Sequence, residues 1–135
     1  MKSKKFFLGK ISILLFFSIA FLNSVSAKDI FVNGTYNAAN DVYTKAIGNT
    51  ANSGLTALLP KKTLSEAINI AVAGDVIYVD ADTYIEGNFT ISKAITIIGA
   101  GSGKTIFNGN NKSVYFANIK SSNVSIRNLS ATKYF

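Results

Sequence analysis

Residues 76–98, VIYVDADTYIEGNFTISKAITII, decide the fold, because they hold three short runs of β-branched and aromatic residues separated by turn formers. Runs of this length, bounded by Gly, Asn, Lys and Ser, are typical of β-strands. Six of them follow one another towards the C-terminus, at 76–79, 89–91, 95–98, 105–107, 114–117 and 124–126. The second half of the chain is therefore predicted to consist of short strands.

The runs recur at a regular interval. Those that begin at Val76, Ile95 and Val114 are 19 residues apart, and so are those that begin at Thr105 and Val124. A fixed interval of this size is typical of a solenoid, in which one unit stacks on the next. A second architecture stays open at this point, because an antiparallel sheet also has short, evenly spaced strands.

The turn residues favour the solenoid. Tight hairpins between antiparallel strands need turns such as Asn-Gly, and this dipeptide occurs only at 33–34 and 108–109. Most other gaps hold Ser-Lys, Ser-Ser-Asn or Gly-Ser-Gly, which suit the bends of a coil. We therefore predict an all-β fold in which residues 75–135 form a parallel coil of about three turns.

One helix is predicted before the coil, over residues 63–74. Thr63 and Glu66 have the S/T-x-x-E spacing of a capping box, and Gly74 stands where a helix is expected to end. The first layer of a coil exposes apolar core and strand edges, so we expect this helix to cap it. Its apolar face is formed by Leu64, Ala67, Ile68, Ala71 and Val72.

The N-terminal residues 1–27 are predicted to be a secretory signal peptide. Four lysines precede an uncharged run at 11–22, ISILLFFSIAFL, and small residues lead to a cleavage site after Ala27. A membrane-spanning helix needs about 20 apolar residues, so this run is short for an anchor. We therefore expect contact with the membrane only during export, and a secreted or cell-surface protein. Residues 28–62 are predicted to be a short strand followed by a long surface loop.

Composition narrows the function further. The chain has no Cys and no His, which excludes disulfides, zinc sites and His-dependent triads, so any metal is expected to be Ca²⁺. Of the net charge of +7, four units belong to the lysines of the signal peptide. The other basic residues are scattered without a basic, aromatic stripe, which argues against a nucleic-acid partner. No cofactor is predicted.

Several motifs together resemble a known family. Their order is similar to the N-terminal region of secreted right-handed parallel β-helix proteins of the pectate lyase-like superfamily, and the resemblance covers residues 29–129. It implies that the coil is a right-handed β-helix. It does not fix an activity, because the superfamily includes polysaccharide lyases, glycoside hydrolases and adhesins. The motifs are GNTANSGLT at 48–56, PKKTL at 60–64, AGDVIYV at 73–79, Thr83-Tyr84, ITIIGAG at 95–101 and NVSIRNL at 123–129.

The sequence also resembles only part of such a protein. It stops at ATKYF, residues 131–135, directly after a predicted strand. In the catalytic members of the superfamily, the Ca²⁺-binding acids and the catalytic base lie on later turns. We therefore expect residues 28–135 to be the N-terminal portion of a longer β-helix domain, with no catalytic or metal site of its own.

Two motifs could be interpreted as ligand-binding sites, but their residues are better explained by structural roles. Residues 99–105, GAGSGKT, resemble a phosphate-binding loop, yet the pattern needs Gly where Ile98 stands and a helix where a strand follows, so no nucleotide is expected. Asp80, Asp82 and Glu86 could together bind Ca²⁺ or a sugar. Three carboxylates fall short of the six or more oxygens that Ca²⁺ takes, which favours turn residues.

The remaining candidates are single side chains or scattered sets. Arg127, the only arginine, is predicted to point outward from its strand as a solvated residue or a clamp for an anionic substrate. By resemblance, Asn128 is expected to turn inward and bond the backbone at a bend. Four tyrosines could either stack on sugar rings or pack as ordinary strand residues, namely Tyr43, Tyr78, Tyr84 and Tyr115. Asn-x-Ser/Thr triplets would be glycosylation sites in a eukaryote, but the lack of Cys suggests a bacterial source, in which they are expected by chance. They begin at Asn33, Asn88, Asn111, Asn123 and Asn128.

Two functions fit these observations. The first is an exported, non-catalytic β-helix module, adhesin-like or in contact with polysaccharide. The second is the N-terminal part of a Ca²⁺-dependent polysaccharide lyase of the pectate type, in which Ca²⁺ acidifies the proton beside a uronate carboxylate and a basic side chain removes it. Whether the chain is an enzyme is left open.

Overall fold

The computed structural model describes residues 26–135, so the predicted signal peptide lies outside the described residues except for Ser26 and Ala27. The described part is dominated by short strands and has one short helix, in agreement with the strand-rich prediction. No helix within residues 26–135 is long and apolar enough to cross a membrane. The elements are β1 (Asp29–Val32), α1 (Leu64–Ile70), β2 (Val76–Val79), β3 (Asp82–Tyr84), β4 (Phe89–Ile91), β5 (Thr96–Gly99), β6 (Thr105–Asn108), β7 (Ala117–Ile119), β8 (Ser125–Arg127) and β9 (Ser130–Thr132).

All strand pairs in this part of the chain are parallel, and the strands form three sheets. The first sheet has the order β1-β2-β5-β8, the second β3-β6-β9, and the third β4-β7. From β2 onward, the chain enters the first, second and third sheet in turn and then begins again. The antiparallel alternative is therefore wrong for these strands.

The core lies where equivalent side chains of successive strands stack. Ile30, Ile77 and Ile97 occupy one register row and are fully buried, while Ile126 extends the row and is only partly buried. In the second sheet, the rings of Tyr84 and Phe107 stack with their centroids 5.0 Å apart. Rows of identical shape in register let each layer cover the apolar side chains of the one before it.

The predicted 19-residue interval is wrong as the spacing between paired strands. In the first sheet, Val76 pairs with Thr96 and Thr96 pairs with Ser125, which are separations of 20 and 29 residues. The run at 114–117 is not a strand along its whole length, because β7 begins only at Ala117 and pairs with β4. The intervals are unequal because the links between strands differ in length, and strands β3 and β9 were not predicted.

Helix α1 begins as predicted but ends earlier. Thr63 and Glu66 form the expected capping box. At the other end, Ala71 has extended backbone, so Gly74 is not the residue that terminates the helix, although its φ is +96°. The prediction for this end of the helix is wrong because a side chain distant in the sequence donates hydrogen bonds to the last carbonyl oxygens. Lys93 Nζ donates to the carbonyl oxygens of Ile68, Asn69 and Ala71, at 3.0, 3.2 and 2.7 Å.

Candidate functional site

A polar groove runs along the face where the irregular loop of residues 34–50 lies beside β3 and β6. Three depressions share Thr35, and their volumes are about 490, 550 and 230 Å³. The groove is therefore one continuous surface feature centred on Thr35. The other polar residues of its walls carry mainly amide, hydroxyl and ammonium groups. In the first depression they are Asn37, Asn40, Asp82, Thr83 and Lys104, and in the second they are Asn49, Thr50 and Lys62. In the third they are Lys62, Thr63, Asp82, Thr83 and Glu86.

The loop wall of the groove is held in place by Asp80. This side chain is fully buried, and its carboxylate accepts hydrogen bonds from the main-chain N–H groups of Val42, Tyr43 and Thr44. The Thr44 hydroxyl adds a fourth donor at 2.7 Å. Donors of this kind satisfy a carboxylate that would otherwise be costly to bury. Asp80 is thus a structural anchor for the groove.

Gly48 lets the far part of the loop lie against the backbone of Asn33, directly after β1, and of Lys61. A Cβ atom at this position would come within 2.0 Å of the Asn33 carbonyl oxygen and 2.3 Å of that of Lys61. The Gly48 N–H donates to that Asn33 carbonyl at 2.9 Å. A residue without a side chain is therefore required where the loop forms the second depression.

The opposite wall combines Asp82 of β3 with the turn that precedes β6. Asp82 Oδ1 accepts a hydrogen bond from the Thr83 N–H at 2.7 Å, which leaves the carboxylate beside the groove. Lys104 ends the turn of the sequence that resembles a phosphate-binding loop, and the strand β6, not a helix, follows it. Thr105 is buried and donates from its hydroxyl to main-chain carbonyls, so this turn is fixed by the core.

Glu86 joins the groove to the beginning of α1. Its two carboxylate oxygens each accept a main-chain hydrogen bond at 3.1 Å, one from Leu64 and one from Ser65. Burial raises the pKa of the Glu86 carboxyl above its ordinary value, and the hydrogen bonds from Ser65 and Leu64 act in the opposite direction. The side chain supplies acceptors that the first turn of a helix otherwise lacks.

The substitution Glu86→Gln is expected to remove a pH dependence of stability. The pKa of Glu86 is higher in the folded chain than its ordinary value of 4.5, so the folded state keeps this proton longer as the pH rises. The contribution of this group to the free energy of unfolding therefore falls as the pH rises past 4.5 and through the folded pKa, then levels off. Urea unfolding across this range is expected to show the fall in the wild type and a flatter profile in the variant.

Glu66→Gln is the matched control, because Glu66 shifts in the opposite direction. Burial acts to raise its pKa, but hydrogen bonds from Thr50, Thr63 and Lys62 outweigh burial and lower it. Its stabilising contribution is present above 4.5 and is lost as the pH falls. An unchanged fall in stability after Glu86→Gln would contradict the assignment.

The three carboxylates that the sequence grouped do not form one site. Asp80 is buried under the loop, Asp82 borders the groove, and Glu86 is bound to the start of α1. Within residues 26–135, no three His, Cys, Asp or Glu side chains come together in a way that could hold a metal ion. Asp80 and Asp82 are only two positions apart, but they are separated in the structure because the chain bends between β2 and β3.

The inward orientation expected for Asn128 is wrong. Its side chain is exposed and its φ is +59°, a left-handed conformation that Asn adopts more readily than most residues. The contact to the neighbouring layer is made by its carbonyl oxygen, which accepts a hydrogen bond from the Gly101 N–H at 3.0 Å. Arg127 is exposed on β8 and is not among the residues that line the groove.

Asn88 has the bridging role that was predicted for Asn128. Its Oδ1 accepts hydrogen bonds from the N–H groups of Val114 and Tyr115, at 3.0 and 3.3 Å, and so links two layers of the third sheet's edge. The sequence feature that could have indicated this role is the Gly87-Asn88 pair, which is a turn sequence. The Asn-x-Ser/Thr triplets share this backbone preference, because Asn88, Asn111, Asn123 and Asn128 all have positive φ, whereas Asn33 is buried.

The tyrosines are divided between packing and exposure. Tyr43 and Tyr78 have ring centroids 5.0 Å apart, and the Tyr43 hydroxyl donates to the Gly99 carbonyl at 3.1 Å. Tyr84 is buried against Phe107. Tyr115, 40% exposed, is more open to solvent but does not line the groove. The groove therefore offers hydrogen-bonding groups without an exposed aromatic platform.

The fold and the groove define a strand-rich protein with parallel sheets and a polar surface cleft. No protein-family model, curated protein or solved structure matches the chain.

Proposed function

We propose that the chain is an exported module with a right-handed parallel β-helix fold, of the pectate lyase-like kind. The order in which the chain enters the three parallel sheets supports a coil, and α1 packs against β1 and β2 at the end where a cap is expected. The signal-like residues 1–27 and the absence of Cys and His support export of a domain held by burial and strand pairing.

The proposed activity is non-catalytic contact with carbohydrate through the groove. The observation that carries this proposal is the lining of the first depression, in which the amides of Asn37 and Asn40 and the hydroxyls of Thr35 and Thr83 lie together. Amide and hydroxyl groups both donate and accept hydrogen bonds, as sugar hydroxyls do. The first and second depressions together provide space for more than one sugar ring.

Binding to a panel of soluble polysaccharides is the direct test of the proposal. Asn37→Ala combined with Asn40→Ala is expected to weaken binding about fivefold or more, because each change removes a side-chain hydrogen bond to the ligand worth about 0.5–1.5 kcal/mol. Asn118→Ala is the matched control, since Asn118 is an exposed amide on β7, outside the groove. Equal affinity of the wild type and the groove variant would exclude the groove as the binding site.

A lyase activity of the complete protein would show itself by a different result. Elimination at a uronate residue leaves an unsaturated product that absorbs ultraviolet light, so polygalacturonate can be incubated with the protein with and without Ca²⁺. We expect binding without product for these residues. Product that depends on Ca²⁺ would overturn the non-catalytic proposal and favour the lyase.

A further inference from the structure

Asp75 is a fully buried carboxylate directly before β2. Its two oxygens each accept one main-chain hydrogen bond, Oδ1 from the Lys28 N–H at 2.8 Å and Oδ2 from the Val72 N–H at 2.9 Å. In the part of the chain that the structure describes, no Lys or Arg side chain donates to it. Asp80, which is equally buried, has four donor groups. Because buried carboxylates are usually paired with a positive charge, Asp75 lacks a partner of the expected kind.

The main-chain nitrogen of Lys28 is held in position beside Asp75. The Lys28 carbonyl oxygen accepts a hydrogen bond from the Val76 N–H at 3.0 Å, at the point where the parallel pairing of β1 with β2 begins. The main chain of Asp75 is held from the next strand, because its carbonyl oxygen accepts a hydrogen bond from the Thr96 N–H at 3.0 Å. The contact between the Lys28 nitrogen and the Asp75 carboxylate is therefore fixed by the pairing of the first sheet.

Lys28 is also the residue that follows the predicted cleavage site. Ser26 and Ala27 are exposed and precede β1, so the bond between Ala27 and Lys28 lies at the edge of the described fold. Hydrolysis of this bond by a signal peptidase consumes one water molecule, leaves a carboxylate on Ala27 and converts the Lys28 amide N–H into an α-ammonium group. This group has three donors in place of one and is charged at neutral pH, because the pKa of an α-amino group is ordinarily about 7.7–8.0.

We propose that cleavage after Ala27 creates an ion pair between the new α-ammonium group of Lys28 and the carboxylate of Asp75. The inference rests on the proposed export of the chain. A charge-assisted hydrogen bond is about twice as strong as a neutral one, so the processed chain is more stable than its precursor. The ion pair joins the start of β1 to the turn between α1 and β2. Processing therefore stabilises the end of the first sheet against which α1 packs.

The melting temperatures of two purified chains test the ion pair. Residues 28–135 and residues 27–135 are each released from a fusion partner by a protease that leaves no extra residue. In the longer chain the Lys28 nitrogen is again an uncharged amide. Near pH 6.5 the Tm of 28–135 is expected to be higher by about 4 °C or more, the shift that one charge-assisted hydrogen bond gives in a domain of this size. The chain 26–135 is expected to melt with 27–135, because the first added residue already removes the charge from the Lys28 nitrogen.

The substitution Asp75→Asn shows whether the Tm difference comes from this carboxylate. It is expected to abolish the difference between 28–135 and 27–135. Asp29→Asn, which changes the exposed acid next to Lys28, is the matched control and should leave the difference unchanged. If Asp75→Asn does not fold, an aldehyde reagent selective for α-amines is used on the two wild-type chains. It is expected to label the terminal amine of 28–135 about fivefold more slowly than that of 27–135, because the paired ammonium is held at Asp75.

Equal Tm values, equal labelling rates, or a Tm difference that persists in Asp75→Asn would each overturn the ion pair. N-terminal sequencing of the exported protein tests the export proposal separately, and Lys28 is expected as its first residue. A different first residue would overturn cleavage after Ala27, whatever the Tm of the purified chains. Lys28 at the terminus together with equal Tm values would overturn the ion pair and leave the export proposal standing.

Discussion

Replacing Phe107 by alanine is expected to lower the free energy of unfolding by about 3–5 kcal/mol, a large share of the stability of a domain of this size. Phe107 is fully buried, and its ring centroid lies 5.0 Å from that of Tyr84, 5.1 Å from that of Phe116 and 5.8 Å from that of Phe89. The substitution removes contacts to three rings and leaves a cavity between the second and third sheets. Urea unfolding followed by circular dichroism would measure the loss.

Phe135→Ala is the control for this prediction. Its side chain is 76% exposed, so its truncation is expected to change stability by no more than about 0.5 kcal/mol. A loss of less than about 1 kcal/mol for Phe107→Ala would show that the second sheet does not depend on this aromatic cluster, in disagreement with the packing described above.

The substitution Asp80→Ala is expected to cost about 3–5 kcal/mol and to free the loop wall of the groove. Three main-chain N–H groups and the Thr44 hydroxyl would lose their acceptor, and Thr44 is itself buried. Donors left unpaired in the core cost more than the hydrogen bonds contribute when formed. Urea unfolding would measure stability, and limited trypsin digestion after Lys45 would report on the loop.

Asp82→Ala separates this effect from a general effect of removing an acid near the groove. Its carboxylate accepts from the N–H of Thr83 and has no comparable set of buried donors, so the expected cost is below about 1 kcal/mol and digestion after Lys45 should stay slow. Equal digestion rates for the wild type and Asp80→Ala would mean that Asp80 does not hold the loop.

Local sequence patterns predicted the elements that depend on local chemistry. The start of α1 follows from Thr63 and Glu66, whose hydrogen bonds lie within one turn. Strands β2 and β4 were found at the predicted bounds because alternating burial in 76–79 and 89–91 is set by two-residue periodicity. The polar character of the groove could also be expected, since residues 34–50 are rich in Asn and Thr.

Features that depend on distant contacts could not be predicted in this way. The buried roles of Asn33 and Asp80 arise from partners 8 to 38 positions away, and neither residue type is usually fully buried. The later start of β7 reflects its pairing with β4, which no property of residues 114–117 reveals. The groove itself is formed by the path of the loop across β3, and that path is fixed by Asp80.

The hydrogen bonds at the two ends of α1 have a consequence for the order of folding. A helix of seven residues is too short to persist in water alone. Its first N–H groups are bonded to Glu86 and its last carbonyl oxygens to Lys93. In the sequence, Glu86 comes after β3 and Lys93 comes after β4. During synthesis, residues 64–70 can therefore become a lasting helix only after the chain has emerged past Lys93. Formation of the helix and folding of β2, β3 and β4 are thus one cooperative event.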